Sequence, residues 1–270
     1  MWSTPASADT CVVREASCTR RTLTLSSFAV VGDLHVGRPA SPLSFRAAPE
    51  QVADWVDDLL CRWGQLIVNG DLFDLDRGMV PLRHSDELRI VESANRPIIQ
   101  LLRRPEIIWL AGNHDEQLLQ GSQAERALDV RLGQSLVRVE HGDRFDAPVK
   151  QARTLTRLVT WASGRVVSGP LNPVYHAMRR VESRLTGEHQ AVPALEHRAL
   201  RWLLQQSAYR YLVLGHTHRA GIVSSGNRWV LNPGDSPGPA LRALGMTTQG
   251  ATLMERLGTQ RGEREYLFEK

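Results

Sequence analysis

Asp33, His35, Asp71, Asn113, His141, His216 and His218 each offer an oxygen or nitrogen donor, and each falls just past a short apolar run. Within "NGDLFDLD" the carboxylates of Asp71, Asp74 and Asp76 follow Ile67 and Val68 directly. Aspartate is a poor strand former, and bare carboxylates packed together repel and raise one another's pKa. Divalent cations remove that conflict, and a set of Asp, His and Asn without cysteine suits Mn²⁺, Fe or Zn²⁺ better than a thiolate site does. The donors outnumber the needs of one ion. Two ions sharing Asp71 as a bridge account for them, in the arrangement where cations about 3.5–4 Å apart clamp the attacking and leaving oxygens of an in-line displacement. The plain alternative is an α/β protein whose polar strand ends are solvated caps.

Such convergence needs elements that end together. "SSFAVVGD" (26–33), "QLIVNGD" (65–71), "EIIWLAGNHDE" (106–116), "SLVRVEHGD" (135–143) and "YRYLVLGHTH" (209–218) read as buried strands running into polar turns. Residues 49–63 place Val52, Trp55, Val56, Leu59, Leu60 and Trp63 at helical spacing behind Pro49, and a second helix is expected over 86–103. Strands alternating with helices argue for a layered α/β core, whose strand ends meet at one edge where ligand sites form. From 221 onward the pattern is of hairpin-connected, antiparallel strands.

The length of 270 residues suits one large domain or one domain with an insert. We expect a loosely ordered segment over 1–22, then a single domain over 23–270 carrying a helical insert at about 149–190. Hydrophobic content of 42% with 23% charged residues is that of an ordinary globular chain, and a net charge of +4 makes no nucleic-acid argument. No apolar run approaches the roughly 20 residues of a membrane span. Three cysteines, Cys11, Cys18 and Cys61, suggest reduced thiols and a cytoplasmic location. We expect Cys61 to be a small core or flanking residue, and His84, His176, His189 and His197 to have surface or packing roles. Asp76 is expected to be a loop acid within reach of a substrate.

In order, "GDLH" (32–35), "NGDLFD" (69–74), "GNHD" (112–115), "HGD" (141–143) and "GHTH" (215–218) resemble the five motif blocks of the calcineurin-like metallophosphoesterases. The resemblance spans roughly 26–235. It implies a four-layer αββα sandwich, two β-sheets flanked by helices, with a helical cap insert and a dinuclear metal centre at the strand ends. It implies that Asp33, His35 and His218 hold one ion, that Asn113, His141 and His216 hold the other, and that Asp71 bridges them. It further implies that His114 faces the scissile phosphate as a non-ligand catalytic histidine oriented by Asp115. Asp74 and Asp143 would back the ligating groups. Water between two cations would then be acidified, as a single catalytic Zn²⁺ takes it from about 15.7 to about 7, and would attack phosphorus in line. Manganese is the expected metal, with Fe or Zn²⁺ as alternatives.

The insert carries seven Lys or Arg over 149–185 against one acid, Glu182. Leu155, Leu158, Val159, Ala162 and Val166 share one helical face, and Val174, Ala177, Met178, Val181 and Leu185 share another. One reading is two helices packed together with a solvated basic rim. The other is a basic, amphipathic cap that takes a phosphorylated, lipid-bearing substrate at an anionic membrane surface, with Arg153, Arg157, Arg179 and Arg180 as substrate contacts. "HGDRFD", the helical insert, "GHTHRA" and "LNPGD" are most similar to bacterial UDP-2,3-diacylglucosamine diphosphatases, which cleave a nucleotide-lipid pyrophosphate. That group usually has arginine where this chain has His114, so a relative acting on another phosphodiester or pyrophosphate stands beside it. Further alternatives are a small-substrate phosphodiesterase of the cyclic-nucleotide type and a non-catalytic binding scaffold. No nucleic-acid partner is expected, because base-stacking aromatics do not interleave with the basic residues.

Overall fold

The computed structural model describes residues 21–38, 45, 47–78, 80–81, 83–120, 124–168, 194–236, 240–257 and 260–267. Of the segment expected to be loosely ordered over 1–22, residues 1–20 lie outside these, as do Arg179, Arg180, His176 and His189, while Thr22 already belongs to a strand.

One sheet is built on β2 (Ser27–Val31), β3 (Leu66–Asn69) and β4 (Ile107–Leu110), which run parallel with Val30 beside Ile67 and Val68 beside Trp109. Beyond β2 the same sheet continues antiparallel through β10 (Ala240–Thr247), β11 (Gly250–Leu257) and the edge strand β12 (Gln260–Leu267). The other sheet runs in the order β1 (Thr22–Leu25), β5 (Ala127–Leu132), β6 (Ser135–Glu140), β7 (Tyr209–Val213), β9 (Arg228–Asn232) and β8 (Gly221–Ser225). Period-two side-chain alternation divides the core. Phe28 and Val30 face the opposing sheet, where Val130, Val137, Val139 and Val213 lie, while Ala29 and Val31 face the helices.

Those helices close the layers. α1 (Pro49–Trp63) begins with proline at its first turn, where a missing N–H costs nothing, and ends at Gly64, whose N–H bonds back to the Leu60 carbonyl at 2.8 Å. Val52, Trp55, Val56, Leu59 and Trp63 form its buried stripe. α2 (His84–Ala94) and α3 (Arg96–Leu102) occupy the region expected as one helix over 86–103. Pro97 explains the break, since it lacks an N–H and its ring would clash with the carbonyl four residues earlier. Asn95 fills the gap, its amide donating to the Gly37 and Val91 carbonyls. On the far side α6 (Ala194–Leu204) packs Leu195, Ala199, Leu200 and Leu203 against Tyr209, Leu212 and Val230. The result is the expected αββα sandwich.

Besides the split of α2 from α3, three findings differ from what the sequence led us to expect. β1 and β5 add a parallel pair that was not expected. The 221–235 hairpin does not extend the C-terminal meander; β9 pairs parallel with β7 in the other sheet. Cys61 is exposed rather than packed, because it falls off the buried stripe of α1. In the insert, α4 (Ala147–Gln151) and α5 (Arg153–Ser168) are described, and Leu155 and Val159 stand 62% and 60% exposed. No described helix is long and apolar enough to cross a membrane.

The seam between α1 and β10 is tight. A Cβ on Gly245 would sit 2.0 Å from the Trp63 ring. Gly245→Ala must therefore displace a buried indole, and we expect a loss of about 1–3 kcal/mol in urea unfolding with an unchanged m-value. A variant as stable as the wild type would show that this seam has slack.

Candidate metal centre

Parallel β2, β3 and β4 deliver Asp33, Asp71 and Asn113 from one edge of their sheet, and parallel β6 and β7 deliver His141 and His216 from the other. The turns that follow are conformationally costly. Asp33, His35, Asp71, His216 and His218 all have left-handed backbones, with φ of 51°, 49°, 47°, 71° and 59°, and they are the only described non-glycine residues that do. Each such residue costs about 1–2 kcal/mol, so five of them persist only where their surroundings hold them.

Cross-bonds between the turns do the holding. His35 N–H donates to the Asp71 carbonyl at 2.9 Å and Val36 N–H to the Leu72 carbonyl at 2.7 Å. His216 N–H donates to both Asp33 carboxylate oxygens at 3.1 Å, and His114 N–H to Asp71 Oδ1 at 2.9 Å. Gly112 is needed for this closeness, since a Cβ there would lie 2.1 Å from Asp71 Oδ1.

The donors fall into adjacent groups. Asp33, His35 and His218 present ligand atoms within 4.8 Å of one another, and so do Asp71, His141 and His216. His35 Nε2 and His218 Nε2 are 3.1 Å apart, and His141 Nε2 lies 3.2 Å from both Asp71 Oδ2 and Asn113 Oδ1. A third group joins His35, Asp74 and His114. The structure thus brings all seven expected ligands to one place.

The donor chemistry fits divalent cations. Burial, then the neighbouring His218, pushes the His35 pKa well below the usual imidazole value, so two imidazole nitrogens meet at 3.1 Å with one of them held neutral. Imidazoles sharing an ion at Zn–N bond lengths of about 2.0–2.1 Å lie about 3 Å apart. His35 Nδ1 is buried with no hydrogen-bond partner. Without cations the carboxylates lean on the imidazoles. Burial would raise Asp71, but His141 and His114 pull it well below the usual carboxylate range. Burial would lower His141 and His114, yet chiefly through Asp71 they are pushed up to about 10 and about 9.

Several second contacts differ from expectation. His114 is not oriented by Asp115. Its Nδ1 lies 3.2 Å from Asp74 Oδ1, whereas the Asp115 carboxylate accepts the Gly112 N–H at 2.7 Å and the Phe73 N–H at 3.2 Å. Two backbone donors point at Asp115, so it ties the 112–115 turn to the turn after β3. Burial, then Asp71, pushes its pKa up to about 7. Asp143 accepts Arg153 at 3.2 Å, and it is the Asn69 carbonyl that meets His141 Nδ1 at 3.1 Å. Asp146 and Asp235, not expected in the site, lie 3.0 Å from His216 Nε2 and 3.2 Å from His218 Nδ1. Their signal was their place at the ends of "HGDRFD" and "LNPGD". Asp76 and His84 are buried, 2.8 Å apart, and Asp76 lies 3.6 Å from His114 Nδ1.

Of the four arginines expected to contact substrate, Arg157 donates to the Asn113 carbonyl at 3.3 Å and to Glu116 at 3.0 Å. Arg153 donates to Glu116 at 2.6 Å and to Asp143. Both sit at the rim of the centre with their charges engaged. Arg179 and Arg180 lie outside the described residues.

A two-sheet sandwich whose strand ends gather Asp, His and Asn on strained turns defines the metallophosphoesterase class of hydrolase. Residues 26–220 match the family described as calcineurin-like phosphoesterase, and the chain belongs to it. It is accordingly a metal-dependent phosphoesterase of a dimetal family. Among solved structures it is similar to a dimetal phosphatase from Danio rerio (10% identity, 91% of this chain and 99% of that one covered, TM-score 0.49). It is also similar to the phosphoesterase Yfce from E. coli (14%, 90% and 100%, TM-score 0.44). A further similarity is to wild-type Vps29 complexed with zinc from Entamoeba histolytica (16%, 90% and 99%, TM-score 0.45). No curated protein matches the chain.

Asp115→Asn would turn an amide NH₂ toward one of two backbone N–H donors. We expect it to destabilise the protein by about 1–3 kcal/mol, measured by chemical unfolding. Wild-type stability in this variant would mean that the two bonds do not hold the turns together.

Proposed function

We propose that the protein hydrolyses a phosphodiester or pyrophosphate bond, with Asp33, His35 and His218 holding one divalent ion, Asn113, His141 and His216 the other, and Asp71 between them. The observation that carries this reading is the meeting of these seven donors around buried Asp71, with the His114 Nε2 4.0 Å from Asp71 Oδ2. Two divalent ions held by these residues, Mn²⁺ by preference, would supply an acidified water and would neutralise charge on the phosphoryl oxygens. The protein's own groups do the rest. Asp74, paired at its other oxygen with Arg77, anchors His114 Nδ1 and leaves Nε2 to give a proton to the departing oxygen. In the overall step the oxygen of water joins phosphorus, the P–O bond to the leaving group breaks, and the leaving oxygen takes the proton.

The preferred substrate is a nucleotide-lipid pyrophosphate such as UDP-2,3-diacylglucosamine. Supporting it are the "HGDRFD", "GHTHRA" and "LNPGD" blocks and helix α5, which sets Arg153 and Arg157 at the rim and leaves Leu155, Leu158 and Val159 exposed. That helix would meet acyl chains at an anionic inner membrane face, with residues 23–270 forming one unit and the insert its cap. His114, in place of arginine, favours a second reading as a small-substrate phosphodiesterase.

Bis(p-nitrophenyl) phosphate should be hydrolysed with Mn²⁺ and spared after chelation. His114→Ala should lose about 10²–10⁴-fold in kcat with bound metal near normal, and Asp71→Ala should lose both turnover and metal. Absence of metal-dependent turnover at any pH would end the enzymatic reading, and two tightly held ions in Asp71→Ala would remove the bridge. UDP-lipid, cyclic-nucleotide and phosphomonoester substrates, with products identified by mass spectrometry, separate the two substrate readings.

A further inference from the structure

The imidazoles of the metal centre do not all face it the same way. His141 Nδ1 meets the Asn69 carbonyl at 3.1 Å and His218 Nδ1 lies 3.2 Å from Asp235, so both rings offer Nε2 inward. His216 is reversed. Its Nε2 lies 3.0 Å from Asp146 Oδ2, which leaves Nδ1, the nitrogen nearer the main chain, for the group it forms with Asp71 and His141. A neutral imidazole carries one proton, and the nitrogen facing a carboxylate keeps it. The opposite nitrogen then has the lone pair an ion needs.

Asp146 is set in place before any ion arrives. Its own N–H donates to the Asp143 carbonyl at 3.0 Å, closing the turn after β6. It also stands directly before α4, where its carbonyl accepts the Lys150 N–H at 2.9 Å and its carboxylate accepts the Val149 N–H, as a helix cap does. From the other side α6 holds the turn, with Arg198 donating to the Phe145 carbonyl at 2.7 Å. An incidental surface ion pair would leave both partners free to swing away and would be worth little. Here one partner caps a helix, and the other has a left-handed backbone fixed by its N–H on Asp33.

We infer that Asp146 is a positioning residue: it orients the His216 ring so that Nδ1 serves the ion shared with Asn113 and His141, and it joins that ion to the first helix of the insert. The inference rests on the dinuclear reading proposed above, and adds to it which atom of His216 ligates and what fixes the choice. Carboxylates behind ligating imidazoles set their tautomer and ring orientation, and losing one costs about 10–100-fold in metal affinity.

The test separates that task from capping. Serine is a good helix cap, but its hydroxyl stops short of the His216 ring. Asp146→Ser therefore keeps the helix start and loses the ring contact. The metal-free full chain is titrated with Mn²⁺, and free Mn²⁺ is read by electron paramagnetic resonance. Wild type should take up two ions. Asp146→Ser should hold one of them about 10–100-fold more weakly and the other within about twofold of wild type, with an unchanged urea midpoint. Nitrogen-15 spectra of the Zn²⁺-loaded wild type should show His216 ligated through Nδ1 with its proton on Nε2. Ligation through Nε2, or two ions held by Asp146→Ser as tightly as by wild type, would overturn the inference and leave the dinuclear centre standing. Equal weakening of both ions with a lowered urea midpoint would reduce Asp146 to a helix cap and overturn it too. A wild type that takes up fewer than two ions would remove the dinuclear reading itself, and this inference with it.

Discussion

Asp33 and Asp71 are each about 1% exposed and open into the same small space. Two carboxylates cannot share such a place without compensation, because burial and mutual repulsion both oppose their charge. Most of the local architecture answers that requirement. Imidazoles from four different turns surround the acids, backbone N–H groups of His114 and His216 point at them, and glycine at 112 lets the chain come close enough to do so. The same crowding that is unfavourable for a bare protein makes the place favourable for divalent cations.

The sandwich bears the cost of that arrangement. Left-handed backbone at five functional positions is local strain, and it is sustained by bonds that run from turn to turn rather than within a turn. Asp115 and Asn232 illustrate how. Asp115 ties two turns of one sheet together, and Asn232, at the end of β9, accepts the Gly234 N–H and donates to the Gly215 carbonyl at 3.0 Å under the histidine pair. Glu196 on α6 accepts the Thr217 hydroxyl at 2.6 Å between those histidines. Each turn is therefore braced by an element outside its own strand–turn unit.

How much of this could be read beforehand depended on whether the signal was local. The donor set was legible because each member follows an apolar strand, and strand direction alone carries them to one edge. α1 was legible from its stripe and its proline. The partners of those donors were not, since Asp74 and Asp115 are one residue type in similar turns, and only the three-dimensional closure decides which meets the His114 ring and which meets backbone. Asp146 and Asp235 were hidden for the same reason. The split between α2 and α3 had a local cause in Pro97 that the periodicity masked. β9 was misplaced because a hairpin's pattern says that two strands pair, not which third strand lies beside them.

Among the described residues, β12 ends its sheet with one long side unpaired, a ready template for another chain. Its sequence, "QRGEREYL", alternates in charge, and Arg62 and Asp58 of α1 reach Glu263 and Arg261 across it. A foreign strand approaching that border would have to desolvate a row of ions before gaining a single backbone bond. The border thus works as a deterrent to self-association, and leaves the molecule's unsatisfied chemistry concentrated at the opposite concern, the hollow where the turns meet.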